Sequence, residues 1–130
     1  MKTVERNFFP KNERLSLQKD IDRLFTLGKN FVSYPLRVVC LPVIKDDSSE
    51  TGISVLISVP KKRIKHAVKR NRVKRLIRES YRLNKKESST ICKQKGEHLH
   101  LAFLYLSSDI KPYNDIDKAI QKALTMINVR

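Results

Sequence analysis

The sequence predicts an α/β domain, a small mixed sheet of about four strands with three helices packed on it, as one domain spanning residues 1–130. Two observations carry this. Apolar residues recur at helical spacing in three segments and alternate or run continuously between them, in the order helix, strands, helix, strand, helix. With 40% hydrophobic and 32% charged residues in 130, the chain suits a soluble domain with its own core. A third observation bears on function: the formal net charge is +15, extreme for this length.

Residues 1–14 place Phe8, Phe9 and Pro10 among charges and read as an N-terminal arm. From Ser16 as N-cap, Leu17, Ile21, Leu24 and Phe25 follow a helical stripe, and Gly28 ends it. NFVSYPLRVVCLPVI is β-rich but interrupted by Pro35 and Pro42, so it predicts strand segments with an edge or a bend. KDDSSETG, Lys45 to Gly52, predicts a loop of hairpin type. In GISVLISVP, Ile53, Val55, Ile57 and Val59 alternate with Ser54, Leu56 and Ser58, the pattern of a strand with one face on the core, and Pro60 closes it. KKESSTICKQKGE is polar and predicts a surface loop, and HLHLAFLYL predicts a strand from His98 to Leu106. A last helix, capped at Asn114 or Asp115, aligns Ile116, Ala119, Ile120, Ala123, Leu124 and Ile127.

Several function classes fall away. No apolar run approaches the roughly 18 residues of a membrane span, and MKTVERNFFPKNER lacks the apolar stretch of a secretory signal, so a cytoplasmic location is expected. Cys40 and Cys92 lack metal-ligand spacing and read as reduced thiols. The acids are scattered, and Asp20 and Asp22, two apart on a helix, do not face one another. His98 and His100 share a strand face without a third ligand nearby, which favours a structural pair over a metal site. Three glycines make no phosphate loop. No catalytic residue and no metal site is expected in the chain itself.

Between GISVLISVP and KKESSTICKQKGE lies HAVKRNRVKRLIRESYR. From Lys61 to Lys86 the sequence holds thirteen Lys and Arg against one acid, Glu79, so +12 of the +15 sits in this segment. On a helical wheel Val73, Leu76, Ile77, Ser80, Tyr81 and Leu83 share a core-facing arc, and Asn71, Lys74, Arg75, Arg78 and Arg82 fall together on the other side. A solvated helix face normally mixes signs, and this one scarcely does. Like charges at such spacing cost helix stability, a cost that phosphates convert into affinity by counterion release. A membrane-surface role is disfavoured because the apolar arc lacks Trp and Phe. Zinc-finger spacing, leucine heptads and a helix-turn-helix pair are missing, and guanidinium groups suit unpaired bases as well as phosphates, so structured RNA is favoured over DNA.

The segment AVKRNRVKRLIRESYR, preceded by SVPKKR, resembles the arginine-rich signature of the bacterial ribonuclease P protein subunit, and the likeness extends over essentially all 130 residues. The resemblance implies a ribosomal-protein-like sandwich with the signature helix in a left-handed βαβ crossover. It implies an RNA-based endoribonuclease that removes the 5′ leader of precursor tRNA, with a catalytic RNA as partner, Mg²⁺ bound on that RNA, and no protein partner required. By this resemblance Lys61, Lys62, Arg63, Arg70, Asn71, Arg72, Lys74, Arg75, Arg78 and Arg82 bind RNA, and Arg14 and Phe25 belong to a leader cleft between the first helix and the sheet. Phe25 fits the apolar helix face equally well, so cleft and core both stand for it. Ile21 stands where the family often has Phe, Pro60 where it often has Ser, and Lys65 where it often has Gly. A ribosomal or chaperone-like RNA-binding module without an enzymatic partner is the alternative.

Overall fold

The computed structural model describes residues 14–43 and 52–129; the expectations for the arm before Arg14 and for most of the Lys45–Gly52 loop lie outside the described residues. Among the described residues four strands form one mixed sheet in the order β1-β2-β4-β3. They are β1 Lys29–Ser33, β2 Leu36–Val43, β3 Gly52–Ser58 and β4 His98–Tyr105. The helices are α1 Gln18–Leu27, α2 Ala67–Asn84, α3 Lys86–Lys95 and α4 Tyr113–Asn128.

β4 takes the centre because its run HLHLAFLY is buried along nearly its whole length. Leu99, Leu101, Phe103 and Tyr105 face the larger core with α2 and α4, while Ala102 and Leu104 face a smaller one under α1. β2 pairs with β4 antiparallel and β3 pairs with it in parallel. The expected hairpin between β2 and β3 is therefore incorrect, because β4 inserts between them. The hairpin of the sheet is β1–β2, turning at Tyr34–Pro35, whose peptide bond is cis. Pro35 thus sits in the turn, and Pro42 lies on β2 past the last β1 pairing, Lys29 with Cys40.

Val55 fixes the hand of the β3–α2–α3–β4 crossover. Its side chain lies in the core beneath α2, and its carbonyl accepts from Leu15 N–H at 2.9 Å along the outer edge of β3. In an upright strand seen from an L-residue's side-chain face, that residue's N–H and C=O point right. β4 consequently lies on the left of β3, and the crossover is left-handed, against the usual right-handed rule.

One element, two helix caps and the burial of one residue differ from expectation. The polar stretch after α2 is a fourth helix, α3, and not a surface loop. Composition hid it because its inward residues are small. Ser88 and Cys92 stand one turn apart and are buried, Ser88 Oγ donates to Asn128 Oδ1 at 2.7 Å, and Gly96 closes the helix at φ 67°. α1 is capped by Leu17, not Ser16, because Leu15 is pinned to β3 and the helix starts beyond it. α4 is capped by Pro112, not Asn114 or Asp115, since the Pro112 carbonyl already accepts from Asp115 N–H and Ile116 N–H. Leu83, placed on the core arc of α2, is 58% exposed, because it falls on the rim beyond half-buried Leu76.

α2 is fixed by its apolar side and by one carboxylate. Val73, Ile77 and Tyr81 are buried, and the Tyr81 ring packs at 5.9 Å from that of Phe103. Asp117 of α4 accepts from Ser80 Oγ at 2.7 Å and from Asn84 Nδ2 at 2.9 Å, which joins the two helices. His98 and His100 pack edge to face on β4, with His98 Nε2 2.7 Å from Ser54 Oγ, which gives a buried role to a serine that the alternating pattern had placed at the surface.

α1 reaches the other face of the sheet through a close approach at its end. A Cβ on Gly28 would lie 2.4 Å from the Leu24 carbonyl oxygen and 2.8 Å from Val39 Cγ1. Gly28→Ala is expected to cost about 1–3 kcal/mol by pushing α1 off β2, read as a lower urea midpoint. An unchanged midpoint would show that the contact is soft.

Candidate nucleic-acid interface

Packing decides which cations of α2 are free to act. Its apolar stripe is turned to the sheet and to α4, so the opposite side must face solvent, and Asn71, Arg72, Arg75 and Arg78 are exposed while Lys74 is half-buried. The first turn of α2 carries no acid, and its N-cap, His66, makes no side-chain cap. Positive side chains therefore adjoin the positive end of the helix dipole, an arrangement that favours a bound anion. Just before it, Lys61, Lys62 and Arg63 lie on a turn held by Arg63 N–H and Ile64 N–H donating to the Pro60 carbonyl, with both lysines exposed.

Two signature arginines are engaged within the protein. Arg70 Nη1 donates to the Lys65 carbonyl at 2.6 Å and to the Ile64 carbonyl at 3.1 Å, so it ties the incoming turn to the helix. Arg82 forms a bidentate pair with Glu79, with Nη2 at 2.9 Å from Oε2 and Nε at 3.3 Å from Oε1. The hydrogen bond to Glu79 raises the Arg82 pKa. Glu79 thus offsets the charge at the C-terminal half of the face and leaves Lys74, Arg75 and Arg78 as its cationic centre. Nearby, burial and then the Asp117 and Glu79 carboxylates push the Tyr113 phenol above its ordinary pKa.

Two depressions adjoin this centre. One, of about 400 Å³, is lined by Arg75, Leu76, Arg78, Glu79 and Arg82 along the helix. The other, of about 380 Å³, lies where the Arg14–Ser16 segment borders β3, and it brings Arg14 together with Lys74 and Arg78 over Val55, Leu56 and Ile57. Arg14 pairs with the outer edge of β3 through a parallel bridge to Val55, which places a residue sixty positions away beside the signature helix. Phe25 does not join them. It is 41% exposed on α1, outside the small core of Leu15, Leu24, Val39 and Ala102, and it is not among the residues lining the Arg14 groove. The groove residues Leu15, Ser16, Val55 and Ile57 carry no chemical signal in the sequence; only the pairing of Arg14 and Leu15 with β3 brings them to the site. Among the described residues, no group of three or more His, Cys, Asp or Glu could hold a metal ion.

A sandwich with one acid-poor helix face, opening onto a cationic groove at the sheet edge, defines a small α/β protein suited to docking on a polyphosphate. The Ribonuclease P family model matches residues 9–128, and the chain belongs to that family. It is 42% identical over 117 residues to the Ribonuclease P protein component of Porphyromonas gingivalis, covering 90% of this chain and 84% of that one. It is 34% identical over 120 residues to the namesake of Clostridioides difficile, covering 91% and 96%. The fold is that of the RNase P protein of Staphylococcus aureus, with a TM-score of 0.64 at 21% identity over 88% of this chain and 94% of that one. A mutant of the S. aureus protein described as defective in mRNA degradation activity superposes with a TM-score of 0.68 at 20% identity, covering 98% of both chains. Family membership makes the chain a protein component of ribonuclease P, a tRNA-processing ribonucleoprotein, and implies an RNA partner.

The two roles of the signature arginines are separable by stability. Arg70→Ala, which strips charged hydrogen bonds from two carbonyls, is expected to cost about 1–3 kcal/mol, whereas Arg75→Ala and Arg78→Ala each stay within about 0.5 kcal/mol of wild type in urea unfolding. Equal losses at all three positions would contradict the division.

Proposed function

We propose that this protein binds the catalytic RNA of ribonuclease P and the 5′ leader of precursor tRNA in the cytoplasm, and assists endonucleolytic removal of the leader to give the mature tRNA 5′ end. The observation that carries this reading is the convergence of Lys74 and Arg78 from α2 with Arg14 from the sheet edge on one groove. The exposed ridge of α2 and the Lys61–Arg63 turn engage the phosphates of the catalytic RNA. The groove, with a cation on either wall and an apolar floor of β3, holds a single strand passing beside that helix.

The chain's own contribution is positional and electrostatic. Two polyanions must come together at the cleavage site, and each lysine or arginine laid between them replaces a condensed counterion and lowers the repulsion. The RNA-bound Mg²⁺ supplies the hydrolytic chemistry, and no side chain of this protein takes or gives a proton in that step. Phe25, exposed on α1, is offered to a leader base outside the groove that Arg14 lines.

The test is cleavage of a precursor tRNA by a bacterial ribonuclease P RNA at low Mg²⁺. Added protein is expected to raise the rate and to yield mature 5′ ends, and Arg14→Ala with Lys74→Ala is expected to lose most of that stimulation until Mg²⁺ is raised. Tight, salt-sensitive RNA binding without stimulation would sink this reading in favour of an RNA-binding module without an enzymatic partner.

A further inference from the structure

We propose that the pocket between the β1–β2 turn and α4 is a second RNA site, which takes one unpaired nucleotide and its flanking phosphates. Its volume is about 410 Å³, and its walls include Tyr34 and Pro35 on one side and Lys111, Asp115, Lys118 and Lys122 on the other. Three lysines face one carboxylate there, and Lys118 and Lys122 stand one turn apart on α4, where like charges repel. Tyr34 is 61% exposed, a large aromatic left in water at the mouth of a cationic pocket. Lys111 Nζ already lies over its ring, 5.8 Å from the centroid.

The walls are held together by hydrogen bonds of two buried hydroxyls. Buried Ser33 Oγ donates to the Ala119 carbonyl at 2.8 Å, which locks the residue before Tyr34 to the middle of α4. Tyr105 Oη donates to the Asp109 carbonyl at 2.6 Å and accepts from Lys111 N–H at 2.9 Å, which fixes the loop that carries Lys111. The chain positions that carry the ring and Lys111 are therefore fixed, so a base stacking on Tyr34 orders side chains without ordering the backbone. The exposed ring selects a nucleotide over an acidic peptide, which would need the cations alone.

The pocket is also remote from the signature face. Asp115, Lys118 and Lys122 occupy the flank of α4 opposite Asp117, whose carboxylate is bonded to α2. RNA held at both places would straddle α4. The inference rests on the function proposed above only for the ligand being RNA, not for any contact made by α2.

The experiment titrates a single-stranded tetraribonucleotide into isotope-labelled full-length protein carrying Arg75→Ala and Arg78→Ala, which weakens the signature face. Upfield shifts of the Tyr34 ring protons with shifts at the Lys118 and Lys122 side-chain ends are expected. On that background, Tyr34→Ala is expected to weaken binding about tenfold, in the range of one stacked base, with the salt slope unchanged. Lys118→Gln with Lys122→Gln is expected to lower the slope by about 1.4, two phosphate contacts on a single strand. The proposal is overturned if Tyr34 does not shift while the tetranucleotide saturates other residues, or if no binding occurs. Equal shifts with tetraglutamate would overturn it in favour of an acidic peptide. Loss of α2 binding by itself leaves these readouts intact, so the two sites fail separately.

Discussion

The burial of one apolar stripe, Val73, Ile77 and Tyr81, between the sheet and α4 is the constraint from which the rest of this molecule follows. An isolated helix with so many like charges would be a poor helix, because each i, i+4 cation pair opposes it. Tertiary packing overrides that cost, and the Asp117 bonds to Ser80 and Asn84 fix the rotation of α2 about its axis. Once the rotation is fixed, every exposed cation has a direction. The same 18 residues bury one side for stability and leave their cations on the other.

The strand order then decides what the charges sit beside. A hairpin between β2 and β3 would have left β3 interior; with β4 between them, β3 becomes the edge and the segment around Arg14 runs along it. The left-handed crossover lays α2 over that same edge, so Lys74 and Arg78 border the groove that Arg14 enters. Glu79 tempers the far end of the helix through Arg82, and Arg70 turns back to the carbonyls of the preceding turn. Of a long basic run, only part is presented outward.

Much of this was legible in the residues and some could not be. The helical period of α1, α2 and α4 and the continuous apolar run of β4 named those elements, and charge placement named the outward, cationic side of α2. α3 escaped because Ser88 and Cys92 are small and polar or weakly apolar, so a buried helix face looked like loop composition. The β2–β3 hairpin was inferred from sequence adjacency, which carries no knowledge of a strand that arrives later in the chain. The engagement of Arg70 and Arg82 was equally hidden, since a cation at a given wheel position reads the same whether it meets a carbonyl or water. The Tyr34 pocket joins residues from a turn, a loop and a helix that no local pattern connects.

The central claim is that the outer side of α2 meets RNA phosphates one cation at a time. The most direct measurement is the affinity of wild-type and Arg75→Ala, Arg78→Ala protein for a ribonuclease P RNA across a salt series. The account predicts weaker binding and a log–log salt slope shallower by about 1.4–1.8, the release of counterions from two phosphates. An unchanged slope in a folded double variant would contradict it and move the RNA contact elsewhere on the protein.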